Sequence, residues 1–203
     1  MNATRAFWLR QLHTWHWISA ALSLSGILLF AATGLTLQHA GLFTSPPTTS
    51  ERQGQLPPAL QAQLTELPTD GEAPLTGELP RWVRQQLALD IAHRLAEFSP
   101  DEIYLRLATP GADASLSIDR HSGDIHYQQT HRGAIAYLND LHKGRNAGSV
   151  WFWFVDALAI ACIVFSLTGL ALLWLHGKGR PSTWPITGLG LLMPVLIALL
   201  LIH

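Results

Sequence analysis

Ten histidines occur in this 203-residue chain, and five of them stand where one of the first two long apolar segments begins or ends. His13 and His16 enter the first such segment, interleaved with Trp15 and Trp17, and His39 follows it. His142 precedes the second and His176 closes it. A neutral imidazole offers one nitrogen lone pair, and imidazole is the usual axial ligand of a b-type haem. Two histidines on one iron leave no open position, which suits electron transfer rather than bond-making. Polar groups at membrane depth are costly and are functional candidates for that reason. The competing account is anchoring, because amphipathic rings favour membrane interfaces whether or not they bind anything. Single histidines fit either account, whereas four forming two pairs favour ligation.

The elements that must position these side chains follow from hydropathy. Only 13% of residues are charged, and the mean hydropathy is +0.20. Apolar residues concentrate in three runs, near Trp17–Leu37, Trp151–Leu175 and Ile186–Ile202. Each has about the length needed to cross a ~30 Å hydrocarbon layer. At ~1.5 Å per residue, His39 lies ~39 Å along a helix from His13 and ~34 Å from His16, so the two groups belong to opposite interfaces. Antiparallel spans then pair His13 or His16 with His176 on one side, and His39 with His142 on the other. Gly26, Gly34 and Gly169 would let a flat macrocycle approach the backbone. His203, at the terminus, is a weaker candidate.

Orientation follows from charge. Arg5, Arg10, Lys178 and Arg180 mark one side of the spans without any acid, and all 14 acids lie between Glu51 and Asp156. Such a basic face belongs in the cytoplasm, which places the N-terminus inside and the polar region outside. Lys143 and Arg145, on the other side, run against this pattern. The first apolar run is too long for a secretory signal and has no convincing cleavage site, so it reads as a retained helix. The single cysteine, Cys162, lies within the second span and excludes a disulfide framework. Asp156 suits the first turns of a helix, with Lys143 or Arg145 as a partner.

The predicted organisation is a membrane all-α bundle of three transmembrane helices with a small α+β extracytoplasmic domain inserted between helices 1 and 2. Residues 1–39 form the tail and first span, 40–80 a Pro-rich linker, and 81–130 the α+β domain. Residues 131–147 form an interfacial helix and loop, 148–176 the second span, 177–185 a cytoplasmic loop, and 186–203 the third span. In the linker, Pro46-Pro47 and Pro57-Pro58 leave room for one short helix near Ala59–Leu64. Val83, Leu87, Ile91 and Leu95 predict a helix over Arg81–Ala96. Period-two alternation at Ile103/Leu105/Leu107, Leu116/Ile118 and Ile125/Tyr127 predicts a small antiparallel sheet beneath it. His93, His121, His126 and His131 lie in this domain and read as surface residues, with a metal site from the last three as the sharper alternative.

A local repeat joins the first two spans. Phe30-Ala-Ala-Thr33-Gly34-Leu35 leads out of one, and Phe165-Ser-Leu-Thr168-Gly169-Leu170 out of the other. Each helix also has histidine before and after it, as in an inverted structural repeat.

LHTWHW, FAATGLTLQHAG, LNDLHKGRNAG and SLTGLALL together resemble the PepSY-associated transmembrane helix family, and the resemblance extends over nearly the whole chain. The segment Arg81–Tyr127 is similar to a PepSY-like domain. Family members include inner-membrane ferric-siderophore reductases with two b haems, so the resemblance implies two haem b groups and electron transfer to an extracytoplasmic iron complex. By motif, His39 matches the histidine after TGxTL, His142 that of DLHKG, and His13 the one entering the first helix. His176 stands in the ligand-like place after the second. The larger reductases have an additional helix and a larger periplasmic portion.

The implied surroundings are the bacterial inner membrane and its lipid, a cytoplasmic or quinol electron donor, and an extracytoplasmic acceptor. Ligand pairs could also form across a homodimer; nucleic acid is not an expected partner. No P-loop, GxGxxG or catalytic triad is present, so the activity, if enzymatic, is that of a membrane oxidoreductase. The competing readings are a non-redox, membrane-anchored PepSY interaction module and an accessory subunit of a metal uptake system.

Overall fold

The computed structural model describes residues 3–43 and 45–202, leaving aside the side chains of residues 3 and 178. Among them, α1 (Ala3–Gln38) is followed by a short 3-10 turn at Ala40–Leu42. Then come β1 (Thr48–Gln55), α2 (Pro58–Leu64), β2 (Gly71–Pro74), α3 (Glu78–Leu87), β3 (Leu95–Phe98), β4 (Glu102–Arg106), β5 (Ala112–Asp119) and β6 (Asp124–His131). The chain ends with α4 (Ala134–His142), α5 (Gly148–His176) and α6 (Thr183–Leu201). Three helices are long and apolar enough to cross a membrane: Thr4–Gln38 of α1, all of α5, and α6. The chain divides into two units, one of residues up to Leu29 and from Trp153 onward, the other Phe30–Phe152.

In the first unit the inward side of α1 is built from small residues. Ser19, Ser23 and Gly26 follow one another at helical spacing and are buried, although the helix is otherwise largely apolar and exposed. Ser19 and Ser23 return their hydroxyls to the carbonyls of Trp15 and Ser19, each at 2.7 Å, so neither buries an unbonded polar group. At Gly26 the helices approach so closely that a Cβ would lie 2.3 Å from Leu158 Cδ1 of α5. Small residues let helix backbones meet where lipid supplies no hydrophobic drive between them. The outward faces carry exposed aromatic and aliphatic side chains, among them Trp8, Trp15, Trp17, Trp153 and Trp174, as expected where the solvent is lipid. Helix α6 runs through Pro194 without a break.

The second unit contains a six-stranded antiparallel sheet in the order β1-β6-β5-β4-β3-β2. Strands β4, β5 and the first half of β6 alternate buried with half-buried or exposed residues, so one face is apolar. On it Ile103, Leu105, Leu116, Ile118 and Ile125 are fully buried, together with Leu60 and Leu64 of α2 and Leu79, Val83 and Leu87 of α3. Two helices on one face of an antiparallel sheet leave the opposite face open.

Two expectations need correction here. The stretch 40–80, read as a linker, supplies β1 and β2, the two edges of the sheet, besides the short helix. Seven of the eight residues of β1 are exposed, which left no apolar alternation to read. The helix expected over Arg81–Ala96 starts earlier, at Glu78, and stops at Leu87, because Ala88 adopts a left-handed conformation with φ 54°. Ile91 then enters the core from a loop, and Leu95 begins a strand.

Candidate functional site

The first unit brings His13 and His176 together. Their ring centroids are 5.9 Å apart, with the planes inclined by 60°. His176 is the last residue of α5, and its Nδ1 lies 3.0 Å from the carbonyl of Leu172. A carbonyl only accepts, so Nδ1 carries the proton and Nε2 keeps its lone pair, the arrangement a metal-binding histidine needs. A metal held by two imidazoles, with bonds of ~2 Å, sets their nitrogens about 4 Å apart. The spacing of the two rings is compatible with that, and the donor set fits a b-type haem.

His16, one turn further along α1, is held differently. Its Nδ1 lies 3.0 Å from Thr168 Oγ1 of α5. Its ring stacks on Phe165, with centroids 4.8 Å apart and planes within 17°. Beneath it is Gly169, where a Cβ would come within 3.3 Å of His16 Cε1. The ring therefore sits in a cradle made by F-x-x-T-G: Phe forms the wall, Thr the hydrogen-bond partner and Gly the floor.

The second unit builds the same cradle from the other copy of the motif. His142, the last residue of α4, has Nδ1 2.7 Å from Thr33 Oγ1. Its ring lies 5.0 Å from that of Phe30, tilted by 44°, and a Cβ on Gly34 would meet His142 Cε1 at 3.5 Å. One turn away, Thr36 donates to the side-chain oxygen of buried Asn139 at 3.0 Å. Helix α4 is fixed on its other side by Asp140, whose carboxylate accepts from Arg132 at 2.7 Å and from the backbone N–H of Gly111 at 2.9 Å. Gly111 has φ +70°, and a Cβ there would lie 2.8 Å from the Tyr137 backbone, so only glycine fits. Trp151 donates its indole N–H to the carbonyl of Leu141 at 2.8 Å.

The expected partner of His142 is elsewhere. His39 is exposed, lies at the start of the 3-10 turn, and makes no capping bond with its side chain. Six residues separate it from Thr33, which turns it about 120° away round a helix. A haem held by both His39 and His142 therefore has no preformed pair of nitrogens. The glycines assigned to a macrocycle are occupied by side chains: Leu158 at Gly26, His142 at Gly34 and His16 at Gly169. Arg145, a proposed partner of Asp156, pairs instead with Asp113 at 3.1 Å. His203 lies outside the described residues.

The histidines of the sheet domain do not assemble. His121 pairs with Asp101 at 3.0 Å, and both are largely exposed. His126 and His131 differ by an odd number of residues along β6, so they face opposite sides of the sheet. Among the described residues no group of three or more His, Cys, Asp or Glu side chains could hold a metal ion.

Thr33, Thr168, Phe30 and Phe165 are the residues that sequence reasoning left without a role. The repeated F-x-x-T-G was the available signal. It was visible as a repeat, but its purpose depends on which imidazole each copy meets.

A family model described as "Putative PepSY_TM-like" matches residues 7–203. No curated protein and no solved structure matches the chain.

Proposed function

The chain belongs to the PepSY_TM-like family, and on that premise we propose that it is a haem-b membrane protein that passes electrons to an acceptor outside the cytoplasm. The observation that carries this reading is the approach of His13 and His176, two imidazoles 5.9 Å apart at helix positions in a chain whose helices can span a membrane. In this reading His13 and His176 hold one haem. The bound group supplies reversible one-electron chemistry. The chain's own residues bind and orient: the carbonyl of Leu172 fixes the His176 tautomer.

A second haem would use His142, with His39 from another copy of the chain as its partner. The basic, acid-free segments carrying Arg5, Arg10 and Arg180 support a cytoplasmic N-terminus in the bacterial inner membrane. The six-stranded domain then lies on the periplasmic side as a PepSY-like module, placed to meet the acceptor. A ferric siderophore, or another ferric iron complex, is the substrate class proposed.

The test is haem retention after substitution. His176→Ala and His13→Ala are each expected to lose the haem of the first unit, whereas His126→Ala, on the open sheet face, should retain the wild-type content. Full haem content in both of the first two variants would overturn the assignment.

A further inference from the structure

We propose that Thr33 and Thr168 are positioning residues that set the tautomer of His142 and His16, holding each imidazole with its proton on Nδ1 and its lone pair on Nε2. The argument is one of donors and acceptors. Thr168 Oγ1 lies 2.7 Å from the carbonyl of Val164 and 3.0 Å from that of Phe165. A hydroxyl has one hydrogen, and carbonyls only accept, so that hydrogen points back into α5. What Thr168 turns toward His16 Nδ1, at 3.0 Å, is a lone pair. The nitrogen must therefore be the donor. We assign the same direction to Thr33 by the repeat of the motif: its hydroxyl is within reach of the Phe30 carbonyl at 3.3 Å and faces His142 Nδ1 at 2.7 Å.

The rest of each cradle removes the ring's other freedoms. Phe165 and Phe30 pack against the rings, Gly169 leaves room where a Cβ would press on Cε1 of His16, and Gly34 lies at contact distance from Cε1 of His142. F-x-x-T-G is thus a device that presents a neutral imidazole with Nε2 bare, and the chain contains it twice. His176 reaches the same state by a simpler route, through the carbonyl of Leu172. Three histidines in the two units are thereby prepared as electron-pair donors of the same kind. That the bare nitrogen of His142 engages haem iron rests on the function proposed above; the tautomers themselves do not.

The experiment is nitrogen NMR of the full-length chain carrying 15N-labelled histidine, in lipid nanodiscs, reduced and at a pH where imidazole is neutral. His16→Gln and His142→Gln assign the two signals. Each is expected to show a protonated Nδ1 and an unprotonated Nε2 in the wild type. Thr168→Val keeps the shape of the side chain but offers no acceptor, and should shift His16 alone toward the other tautomer. Thr33→Val should do the same to His142 alone, and Thr168→Ser and Thr33→Ser should restore the original signals. Wild-type signals already showing protonated Nε2, or valine variants that leave the tautomers unchanged, would overturn the proposal. Haem content of the same samples separates the two ideas, because tautomer control without haem refutes only the cofactor. If haem is bound through His142, Thr33→Val should hold it 10- to 100-fold more weakly, an order-of-magnitude loss usual for outer-sphere partners.

Discussion

Thr36 shares its hydroxyl hydrogen between the Thr33 carbonyl at 2.9 Å and the side-chain oxygen of Asn139 at 3.0 Å, one helical turn from the bond between Thr33 and His142. Two threonines three residues apart on α1 thus grip two residues three apart on α4. This ladder, together with the bonds of Asp140 on the helix's other side, fixes the height and rotation of the helix that ends in His142. Thr36→Val removes one rung and leaves buried Asn139 short of a donor. The expected cost is about 1–2 kcal/mol, with faster hydrogen exchange in α4, measured by mass spectrometry.

Asp140 and Asp113 both pair with Arg132 but should differ in weight. The Asp140 side chain is 5% exposed and also accepts from Gly111, whereas that of Asp113 is 47% exposed. Removing the buried partner leaves the Gly111 N–H without its acceptor and Arg132 with Asp113 alone, so Asp140→Ala should cost about 1–3 kcal/mol. Asp113→Ala should cost about 1 kcal/mol or less, because solvent already screens that pair. Chemical denaturation of the two variants under one detergent condition measures the difference.

Arg120 is a buried cation whose neighbours are carbonyls rather than acids. Its guanidinium donates to Leu64, Leu67, Pro68 and Ser99, binding the end of α2 to two loops. Arg120→Met keeps most of the volume but leaves those carbonyls unbonded. A loss on the order of 3 kcal/mol is expected. Arg120→Lys should recover only part of it, since one ammonium cannot reproduce the planar fork. Thermal unfolding ranks the three proteins.

The turn between β5 and β6 carries a pH dependence. The backbone N–H groups of Ser122 and His121 donate to Asp119 and hold its carboxyl below the ordinary value. A lowered folded-state pKa contributes stability above the unfolded value of ~3.9, and that contribution is lost as pH falls through the folded value. Asp119→Ala should therefore melt at a lower temperature than wild type near neutral pH, with the gap closing on acidification. Melting curves across the acid range check this; a gap that persists at the lowest pH would contradict it.

Much of this could be read from the residues. The three apolar runs and the alternation in β4, β5 and β6 are local signals, and each appears where its pattern placed it. Strand β1, TTSERQGQ, could not be read, since a polar edge strand is recognised only by the neighbour it pairs with, here Tyr127 and its flanks on β6. Helix α3 was overrun because Ile91 and Leu95 continue the helical spacing, although they are buried or paired for other reasons after the chain turns at Ala88. For His142, topology alone narrowed the partner to one end of α1. Choosing Thr33 over His39 required knowing the rotation of α4, which Asn139 and Asp140 set through tertiary bonds.

The most direct test of the account is a reduced-minus-oxidised visible spectrum of the purified full-length protein, with pyridine haemochrome quantification. The account predicts a b-type spectrum with at least one haem per chain, lost in His176→Ala. A stoichiometry near two would add the site at His142. A folded protein from haem-sufficient cells with no haem would contradict the redox function and leave a membrane-anchored binding module in its place.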